Sequence, residues 1–312
     1  MQDPRGVLDD VRELDTLSTA ELPTRPTHRT VVLVDPGFFD RTYVINPHMA
    51  GEVDRERART QWEQLRAVYE RHAADVRVLD PATVQGRVDG TAVLPPTDQP
   101  DMVFVANHAV PTAAGDELVP ARMSTPERAD EPTYFGAWAH QQGYGVRSAP
   151  TARFEGAGDA IWHPGRRLLW GGHGVRTDRE AYGELATRLD TPVVPLELTD
   201  ERYFHLDICL LPLSETTALV QPDAFTDESK ARIEAVFETV LEAPVEETLD
   251  GFAVNGEVLD GTVITGTGVP ETTALLEANG YDVVSVETSE FLKAGGSVGC
   301  LTLRLGRPDR DR

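Results

Sequence analysis

Residues 291–305 have the sequence FLKAGGSVGCLTLRL, in which a glycine-rich turn leads into a run, residues 300–305, of alternating apolar and polar side chains. This alternation predicts a half-buried β-strand that begins at Cys300. The closely spaced glycines give the turn backbone freedom and leave space for a ligand beside the sulfur. Cys300 is therefore a candidate nucleophile, with the alternative that it is a small buried core residue.

The composition predicts a cytoplasmic globular protein. The chain has 312 residues, of which 40% are hydrophobic, and this suffices for one large or two ordinary domains. The two cysteines, Cys209 and Cys300, are too few for a disulfide framework. The N-terminal sequence lacks the pattern of a signal peptide, and no apolar stretch reaches membrane-spanning length.

The charge of the chain argues against nucleic-acid and membrane partners. Asp and Glu number 52 against 29 Lys and Arg, which gives a net charge of -23. Such a surface repels phosphate backbones and anionic lipids. Lysine occurs only as Lys230 and Lys293, and the acidic excess is typical of adaptation to a salt-rich cytoplasm, where ions screen self-repulsion.

The order of patterns along the chain predicts a tail and one folded domain. Residues 1–28 are polar, acidic and contain proline, so we expect a flexible acidic N-terminal tail. From residue 30 onward, pairs of short strands alternate with single helices about five times without a linker. Residues 29–312 are therefore predicted to form a single α/β domain of repeated strand-strand-helix-strand modules.

Two predicted strands carry polar residues of interest. Residues 101–108 are expected to form a buried strand that ends next to Asn107. Residues 203–212 are expected to form a strand on which His205 and Asp207 share one face. Apolar residues at helical spacing predict helices over residues 54–72, 134–142, 179–189, 229–241 and 271–279.

Reactive groups occur in three stretches, at glycine-rich turns or strand ends: Glu155 with Asp159, His205 with Asp207, and Cys300. A thiol has an unperturbed pKa of about 8.5, so at neutral pH it needs a neighbouring base or cation to act as a nucleophile. His205 is the best candidate for that base, with Asp207 on the same side of its strand. Glu155 is placed to orient a cationic substrate and to share in proton transfer.

Each of these residues also has a purely structural interpretation. His205 fits a hydrogen-bonded strand histidine, Asp159 fits a residue that caps its own turn, and Glu155 fits a surface acid. Cys209 lies in an apolar run and is expected in the core. The histidines lack ligand-like spacing and the cysteines form no paired motif, so no metal site is predicted.

Four motifs in a fixed order resemble those of the guanidino-group-modifying enzymes. They are FEGAGD at residues 154–159, WGGHGVRT at 170–177, HLD at 205–207 and FLKAGG through the cysteine at 291–300. The resemblance covers residues 30–305, and the ordered Glu, His and Cys are specific to a superfamily of dimethylarginine dimethylaminohydrolases, arginine deiminases, arginine dihydrolases and amidinotransferases. It implies the pentein fold, a five-bladed α/β propeller of ββαβ modules with a central active site and no cofactor.

The resemblance also implies roles for the reactive residues. Cys300 would attack the guanidinium carbon to give a covalent thiouronium intermediate, while His205 would protonate the leaving amine and then activate water. Glu155 and Asp207 would hold the planar cation. The further candidates for substrate binding are Asp159 and two arginines whose forked donors suit a substrate carboxylate, Arg176 and Arg128.

One predicted strand departs from the pattern of most of these enzymes. Deiminases and dimethylargininases carry a carboxylate near its end, as in Phe-x-Arg-Asp or Phe-x-Glu-Asp, whereas this chain has Asn107 there. An amide offers no second charged clamp to the guanidinium. Asn107, together with Asn46 in the sequence INPHM, resembles the asparagines of arginine dihydrolases, which give ornithine, ammonia and carbon dioxide.

The first hypothesis is therefore a metal-free hydrolase of the dihydrolase type that acts on a small guanidino substrate, L-arginine. Two alternatives use the same catalytic set: dimethylarginine dimethylaminohydrolase, which gives citrulline and dimethylamine, and arginine deiminase. A non-catalytic pentein binding protein is a third class, disfavoured because such a protein lacks the pair formed by Cys300 and His205. The sequence leaves open whether the chain forms a homo-oligomer.

Overall fold

A computed structural model of the chain describes residues 6–72, 75–84, 87–88, 91–92 and 95–308. Short strands and short helices alternate along these ranges. The strands are β1 (Thr30–Val34), β2 (Asp75–Leu79), β3 (Arg87–Val88), β4 (Thr91–Ala92), β5 (Ala109–Pro111), β6 (Glu117–Pro120), β7 (Gly145–Val146), β8 (Ala160–Trp162), β9 (Leu169–His173), β10 (Val193–Glu197), β11 (Leu210–Pro212), β12 (Thr217–Val220), β13 (Thr239–Glu242), β14 (Glu257–Leu259), β15 (Thr262–Gly266), β16 (Asp282–Val286) and β17 (Leu303–Leu305). The α-helices are α1 (Val11–Asp15), α2 (Arg55–His72), α3 (Glu131–Gln141), α4 (Gly156–Asp159), α5 (Ala181–Leu189), α6 (Asp227–Val236), α7 (Val245–Gly251), α8 (Pro270–Ala278) and α9 (Ser289–Leu292).

Five three-stranded sheets make up the described part of the chain, beside a small ribbon of β3 and β4, and all five share one topology. In each sheet the central strand pairs antiparallel with one neighbour and parallel with the other, and a helix connects the parallel pair. The sheets are β17-β1-β2, β5-β6-β7, β8-β9-β10, β11-β12-β13 and β14-β15-β16. This repeat confirms the predicted ββαβ modules of a five-bladed propeller.

One module is built from both ends of the chain. The C-terminal strand β17 pairs antiparallel with β1, so that Thr30 lies opposite Leu305 and Val32 lies opposite Leu303. Helix α2 then connects β1 to the parallel strand β2. The turn that carries Cys300 is therefore anchored, through β17, to the first strand of the sequence.

Apolar patterning explains where the core lies. Strand β1 is buried along its whole length, as expected for a continuous apolar strand that is covered on both faces. Helix α2 buries Trp62, Leu65, Val68 and Tyr69, the residues at helical spacing. The predicted helices are confirmed as α2, α3, α5 and α8, with small shifts at their ends. Along the described ranges, no helix combines the length and the apolar character needed to cross a membrane.

The predicted strand over residues 101–108 is wrong. This segment forms two successive 3-10 helices, Pro100–Val103 and Val105–His108, and strand pairing starts only at β5. A short apolar run is compatible with either structure, and proline at the start of the first helix favours a helical φ angle. The predicted helix over residues 229–241 is too long, because α6 ends at Val236 and the chain continues as the parallel strand β13.

The strand contexts predicted for His205 and Cys300 are wrong as well. His205 directly precedes the 3-10 helix Leu206–Ile208, so Asp207 lies within a helical turn and shares no strand face with His205. Cys300 lies in a turn before β17, within residues 297–302, rather than at the first position of the strand. In both places the reactive residue occupies the tight turn that precedes a strand.

The prediction of a flexible tail is wrong for the part of residues 1–28 that the structure describes. From residue 6 onward the segment packs on the domain: Val7 forms a bridge to β10, and helix α1 lies against α6. Leu8, Leu14 and Leu22 are buried in one apolar cluster. These leucines have no helical period, so burial against the propeller, rather than local structure, holds the segment in place.

Candidate active site

The location of the candidate active site follows from the repeat. In every module, polar residues lie on the turn immediately before the first strand, which is β5, β8, β11, β14 or β17. Their side chains are buried, and hydrogen bonds connect them across the modules. Along the described ranges, no group of three or more His, Cys, Asp or Glu side chains is arranged to hold a metal ion. The residues are Asn107, Glu155 with Asp159, His205 with Asp207, Asn255, and Cys300.

Cys300 is held beside a carboxylate. Its backbone N–H donates to Asn255 Oδ1 at 3.2 Å, and its thiol donates to Asp207 Oδ2 at 3.3 Å. Burial, and then the negative charge of Asp207, hold the pKa of the Cys300 thiol well above its usual value. In the unliganded protein the sulfur is therefore a neutral thiol, and a bound cation is needed to favour the thiolate.

Asp207 is balanced between its two protonation states at neutral pH. Burial raises the pKa of Asp207 to about 7, although hydrogen bonds from Cys300 and Asn255 act in the opposite direction. Within the described residues, its Oδ1 atom has no hydrogen-bond partner. An unpaired buried carboxylate oxygen is unfavourable, so the site favours a ligand that donates a hydrogen bond to it.

His205 and Glu155 form a buried pair. His205 Nε2 lies 2.7 Å from Glu155 Oε2, and the backbone N–H and hydroxyl of Ser124 donate to Glu155 Oε1. Burial opposes ionisation of Glu155, but the hydrogen bond and charge of His205 and the charge of Arg176 lower the pKa of Glu155 well below its usual value. Glu155 is therefore a carboxylate, and it can hold a cation.

Asn107 contacts the opposite nitrogen of the His205 ring. Its Oδ1 atom accepts from Arg128 Nη1 at 3.1 Å, which leaves Nδ2 facing His205 Nδ1 at 3.4 Å. The NH₂ group of Asn107 is a donor, so it can bond to His205 Nδ1 only when that nitrogen carries no proton. A Cβ atom on Gly158 would lie 2.2 Å from Asn107 Nδ2, so this position of the amide requires a glycine there.

The two arginines predicted to bind a substrate carboxylate are buried and already paired. Arg128 Nη2 lies 2.7 Å from Glu131 Oε2, its Nε atom also donates to that carboxylate at 2.9 Å, and only Nη1 reaches the amide of Asn107. Arg176 donates to Ile45 O at 2.8 Å and lies 3.3 Å from Glu155 Oε2. Arg176 therefore contacts Glu155 directly, whereas Arg128 reaches His205 only through the amide of Asn107.

Asp159 and Asn46 hold turns around the site. Both carboxylate oxygens of Asp159 accept hydrogen bonds from the protein, from Leu206 N at 3.0 Å and from the Thr177 hydroxyl at 2.7 Å. Both partners belong to other segments of the chain, so Asp159 does not cap its own turn as the structural interpretation predicted. The Asn46 side chain accepts from the backbone of its own loop and lies against Gly295, whose φ of +81° is readily adopted only by glycine.

One sequence family covers almost all of this site. The family described as N,N dimethylarginine dimethylhydrolase, eukaryotic, matches residues 48–307, which include every site residue named above except Ile45 and Asn46. The chain belongs to the dimethylarginine dimethylaminohydrolase family.

Relatives of this member of the dimethylarginine dimethylaminohydrolase family are named either as dimethylarginine dimethylaminohydrolases or as arginine dihydrolases. N(G),N(G)-dimethylarginine dimethylaminohydrolase of Mycobacterium tuberculosis is 37% identical over 290 residues, which cover 91% of this chain and 88% of that protein. Bifunctional arginine dihydrolase/ornithine cyclodeaminase AgrE of Nostoc sp. is 36% identical over 285 residues, which cover 90% of this chain. The match spans 38% of the length of AgrE.

A solved structure confirms the pentein fold of this dimethylarginine dimethylaminohydrolase family member. The product-bound N-terminal domain of ArgZ, an arginine dihydrolase from cyanobacteria, superimposes with a TM-score of 0.80 at 33% identity. The match covers 90% of this chain and 99% of that domain.

Three residues that support the site of this family member are not among the predicted site residues: Asn255, Ser124 and Thr177. Asn255 is fully buried and joins Cys300 to Asp207, because it accepts from Cys300 N and donates to Asp207 O at 3.1 Å. The repeat does indicate that Asn255 is a site residue. It lies on the turn before β14, and the predicted site residues of the other modules lie on the equivalent turns. Ser124 and Thr177 bond to Glu155; no pattern in the sequence marks Ser124, whereas Thr177 ends the motif WGGHGVRT at residues 170–177.

Proposed function

We propose that this chain hydrolyses the guanidino group of L-arginine to give ornithine, ammonia and carbon dioxide. The observation that carries the proposal is the orientation of Asn107, whose Oδ1 is bonded to Arg128 and whose NH₂ group faces His205. An NH₂ group cannot accept a hydrogen bond from a guanidinium N–H. One substrate nitrogen therefore lacks the clamp that a carboxylate would provide, and both terminal nitrogens can leave.

The first half of the reaction forms a covalent intermediate. Burial and the charge of Asp207 keep Cys300 protonated. A guanidinium cation held by Glu155 and Asp207 places a positive charge beside the sulfur, which lowers the pKa of the thiol and favours the thiolate. The thiol proton passes to His205, the sulfur bonds to the guanidinium carbon, and one C–N bond breaks as His205 delivers that proton to the leaving amine. Ammonia departs and a thiouronium remains on Cys300.

The second half removes the second nitrogen. Water gives a proton to His205 and adds to the thiouronium carbon, and the second terminal nitrogen takes that proton and leaves as ammonia. The carbon is then held on Cys300 as a thiocarbamate. A second water cleaves the C–S bond, which regenerates the thiol and releases the carbamate of ornithine, and the carbamate loses carbon dioxide. Two waters are consumed, and two ammonia, one carbon dioxide and one ornithine are formed.

Dimethylarginine dimethylaminohydrolase activity is the second candidate, because the Mycobacterium tuberculosis enzyme of that name is 37% identical across 91% of this chain. On the same residues, the first C–N bond to break would release dimethylamine. Departure of the thiolate after addition of one water would then give citrulline. Arginine deiminase activity follows that route with ammonia as the leaving group, so the candidates differ in their products.

Product analysis by mass spectrometry, with an ammonia assay, tests the proposal. Purified protein is given L-arginine and asymmetric dimethylarginine separately in concentrated potassium chloride. Ornithine with two ammonia molecules per arginine is expected. Citrulline from arginine, or turnover of the methylated substrate alone, would overturn the proposal.

Asn107→Asp sharpens this test, because it restores the second carboxylate. We expect this variant to shift the products of arginine from ornithine toward citrulline. The matched control is Asn279→Asp, an amide-to-acid change at the exposed end of α8, which should leave the product ratio unchanged.

The two cysteines provide a matched pair for the thiol mechanism. Cys300→Ala and His205→Ala are each expected to lower kcat by several powers of ten, because each removes a group that changes bonding during the reaction. Cys209 is buried and donates only to backbone carbonyls, so Cys209→Ala should lower Tm and keep kcat within about tenfold. Full turnover by Cys300→Ala would exclude the mechanism.

A further inference from the structure

A cavity of about 330 Å³ adjoins Asp207 but does not include the catalytic pair. It is lined by residues from the first strands of all five modules, β5, β8, β11, β14 and β17, and by Arg25, Thr27 and His28 of the N-terminal segment. Asp207 forms part of its wall, whereas Cys300, His205 and Glu155 do not. Its volume lies within the range of small-molecule sites.

Arg25 brings a buried positive charge to this cavity, and the charge of Glu257 offsets it only in part. Its guanidinium carbon lies 4.9 Å from the centre of the Trp162 ring. Its Nε atom is buried, and within the described residues the guanidinium has no hydrogen-bond or ion-pair partner. Burial, and then the positive charge of Arg304, lower the pKa of Arg25 to about 9. A guanidinium stacked on an aromatic ring keeps its donor edge available for a planar anion.

A second arginine, Arg304, also lines the cavity. Arg304 directs its donors to main-chain oxygens, His28 O and Val258 O. The Glu257 carboxylate lies 3.8 Å from Arg304, and burial raises the pKa of Glu257 to about 7. At neutral pH Glu257 is therefore only partly ionised, and it does not neutralise two arginines.

The other residues that line the cavity indicate which class of ligand fits it. Ala157, Ile161 and Leu211 give it an apolar surface, which suits a short hydrocarbon chain. Asp207 and Glu257 would repel a second negative charge on the ligand, so a monoanion fits better than a dianion.

We propose that this cavity binds a short aliphatic monocarboxylate. Its carboxylate would pair with the fork of Arg25, and its chain would lie against the apolar residues of β8 and β11. The inference does not rest on the proposed function, because the binding needs none of the catalytic residues. It does predict a coupling: an anion beside Asp207 disfavours ionisation of that carboxylate and so opposes binding of a guanidinium cation in the active site.

Isothermal titration calorimetry of the full chain with sodium hexanoate, at fixed ionic strength in potassium chloride, tests the proposal. We expect saturable one-to-one binding that persists in Cys300→Ala, whatever reaction the active site performs. Hexan-1-ol has the same chain without the charge, and inorganic phosphate has the charge without the chain. Both should bind about tenfold more weakly or worse.

Arg25→Gln is expected to weaken hexanoate binding about tenfold or more with little change in Tm. The matched control Arg12→Gln removes an exposed guanidinium of the same segment and should leave binding unchanged. Ile161→Phe fills part of the cavity without changing a charge, so it should also weaken hexanoate binding. This variant tests the proposal independently if Arg25→Gln does not fold. Equal affinity of hexanoate for the parent and the folded variants, equal binding of hexan-1-ol, or tighter binding of phosphate would overturn the assignment.

Discussion

The thiol of Cys300 donates a hydrogen bond to Asp207 across 3.3 Å, and both side chains are buried. Burial, and then the charge of Asp207, raise the pKa of Cys300, so the proton stays on sulfur. We expect alkylation of Cys300 by iodoacetamide to be slow at neutral pH and to keep rising about tenfold per pH unit beyond about pH 8.5, where the rate of an ordinary thiol levels off. Mass spectrometry of the tryptic peptide measures this rate in a Cys209→Ala background.

Asp207→Asn provides the control for this profile, since the amide keeps the shape of the side chain and removes its charge. The alkylation profile of the variant should move to lower pH. A rate in the parent protein that already levels off below about pH 8 would show that the thiol is not held protonated.

The same carboxylate should make stability depend on pH. Burial raises the pKa of Asp207 to about 7 from an ordinary value of 3.8. The folded state therefore binds the proton more tightly, so the stabilising contribution is complete below about pH 4 and is lost as the pH rises through about 7. Asp207→Asn escapes this loss, so its unfolding free energy relative to the parent should rise by about 2 kcal/mol between about pH 5 and pH 7. Urea unfolding at the two pH values measures the change, and a constant difference would contradict it.

Asn255 is expected to position the nucleophile. Asn255→Ala leaves the Cys300 N–H and the Asp207 carbonyl without their partner, at roughly 1–3 kcal/mol for each group. We expect kcat to fall about tenfold to a hundredfold while KM stays within about threefold. Steady-state kinetics test this, with the exposed Asn279→Ala as control. A rise in KM with kcat retained would place Asn255 in substrate binding instead.

The modules are predictable from sequence because their signals are strong and local. Strand β1 is a continuous apolar run, and α2 repeats apolar residues over 18 positions, so each pattern admits one structure. Because strand pairs and single helices alternate about five times along the sequence, a fold of five blades is predicted. Strands β1 and β17 come from opposite ends of the chain, so no local sequence pattern predicts that they pair.

The sequence predicts which residues are reactive, but it does not predict their local backbone structure or the orientation of their side chains. Glycine-rich turns mark Glu155 and Cys300, and their motifs fix the superfamily. The local structure around His205 is not predictable, because a short run in which His205 and Asp207 alternate with apolar residues is compatible with a strand and with a 3-10 turn. The orientation of Asn107 depends on Arg128, which lies 21 residues further along the chain, so it appears only in three dimensions.

The N-terminal segment shows the limit of composition as a guide. Its polar and acidic residues are typical of a free tail, yet its widely spaced leucines Leu8, Leu14 and Leu22 are buried in one apolar cluster of the propeller. A sequence pattern reports local periodicity, whereas these contacts depend on a surface formed by other blades. The distinction between a free and a docked segment can be measured with one leucine.

Leu14→Ala should destabilise the whole domain. The Leu14 side chain is fully buried in the cluster that includes Trp170 and Phe237, so its truncation should lower the unfolding free energy by about 2–5 kcal/mol. Leu17 lies one turn further along and is only partly buried, so Leu17→Ala should cost about 1 kcal/mol or less. Chemical unfolding followed by circular dichroism compares the two variants. If both changes were equally small, residues 6–28 would be a free tail in solution, whereas a large loss for Leu14→Ala alone would make the segment part of the folded domain.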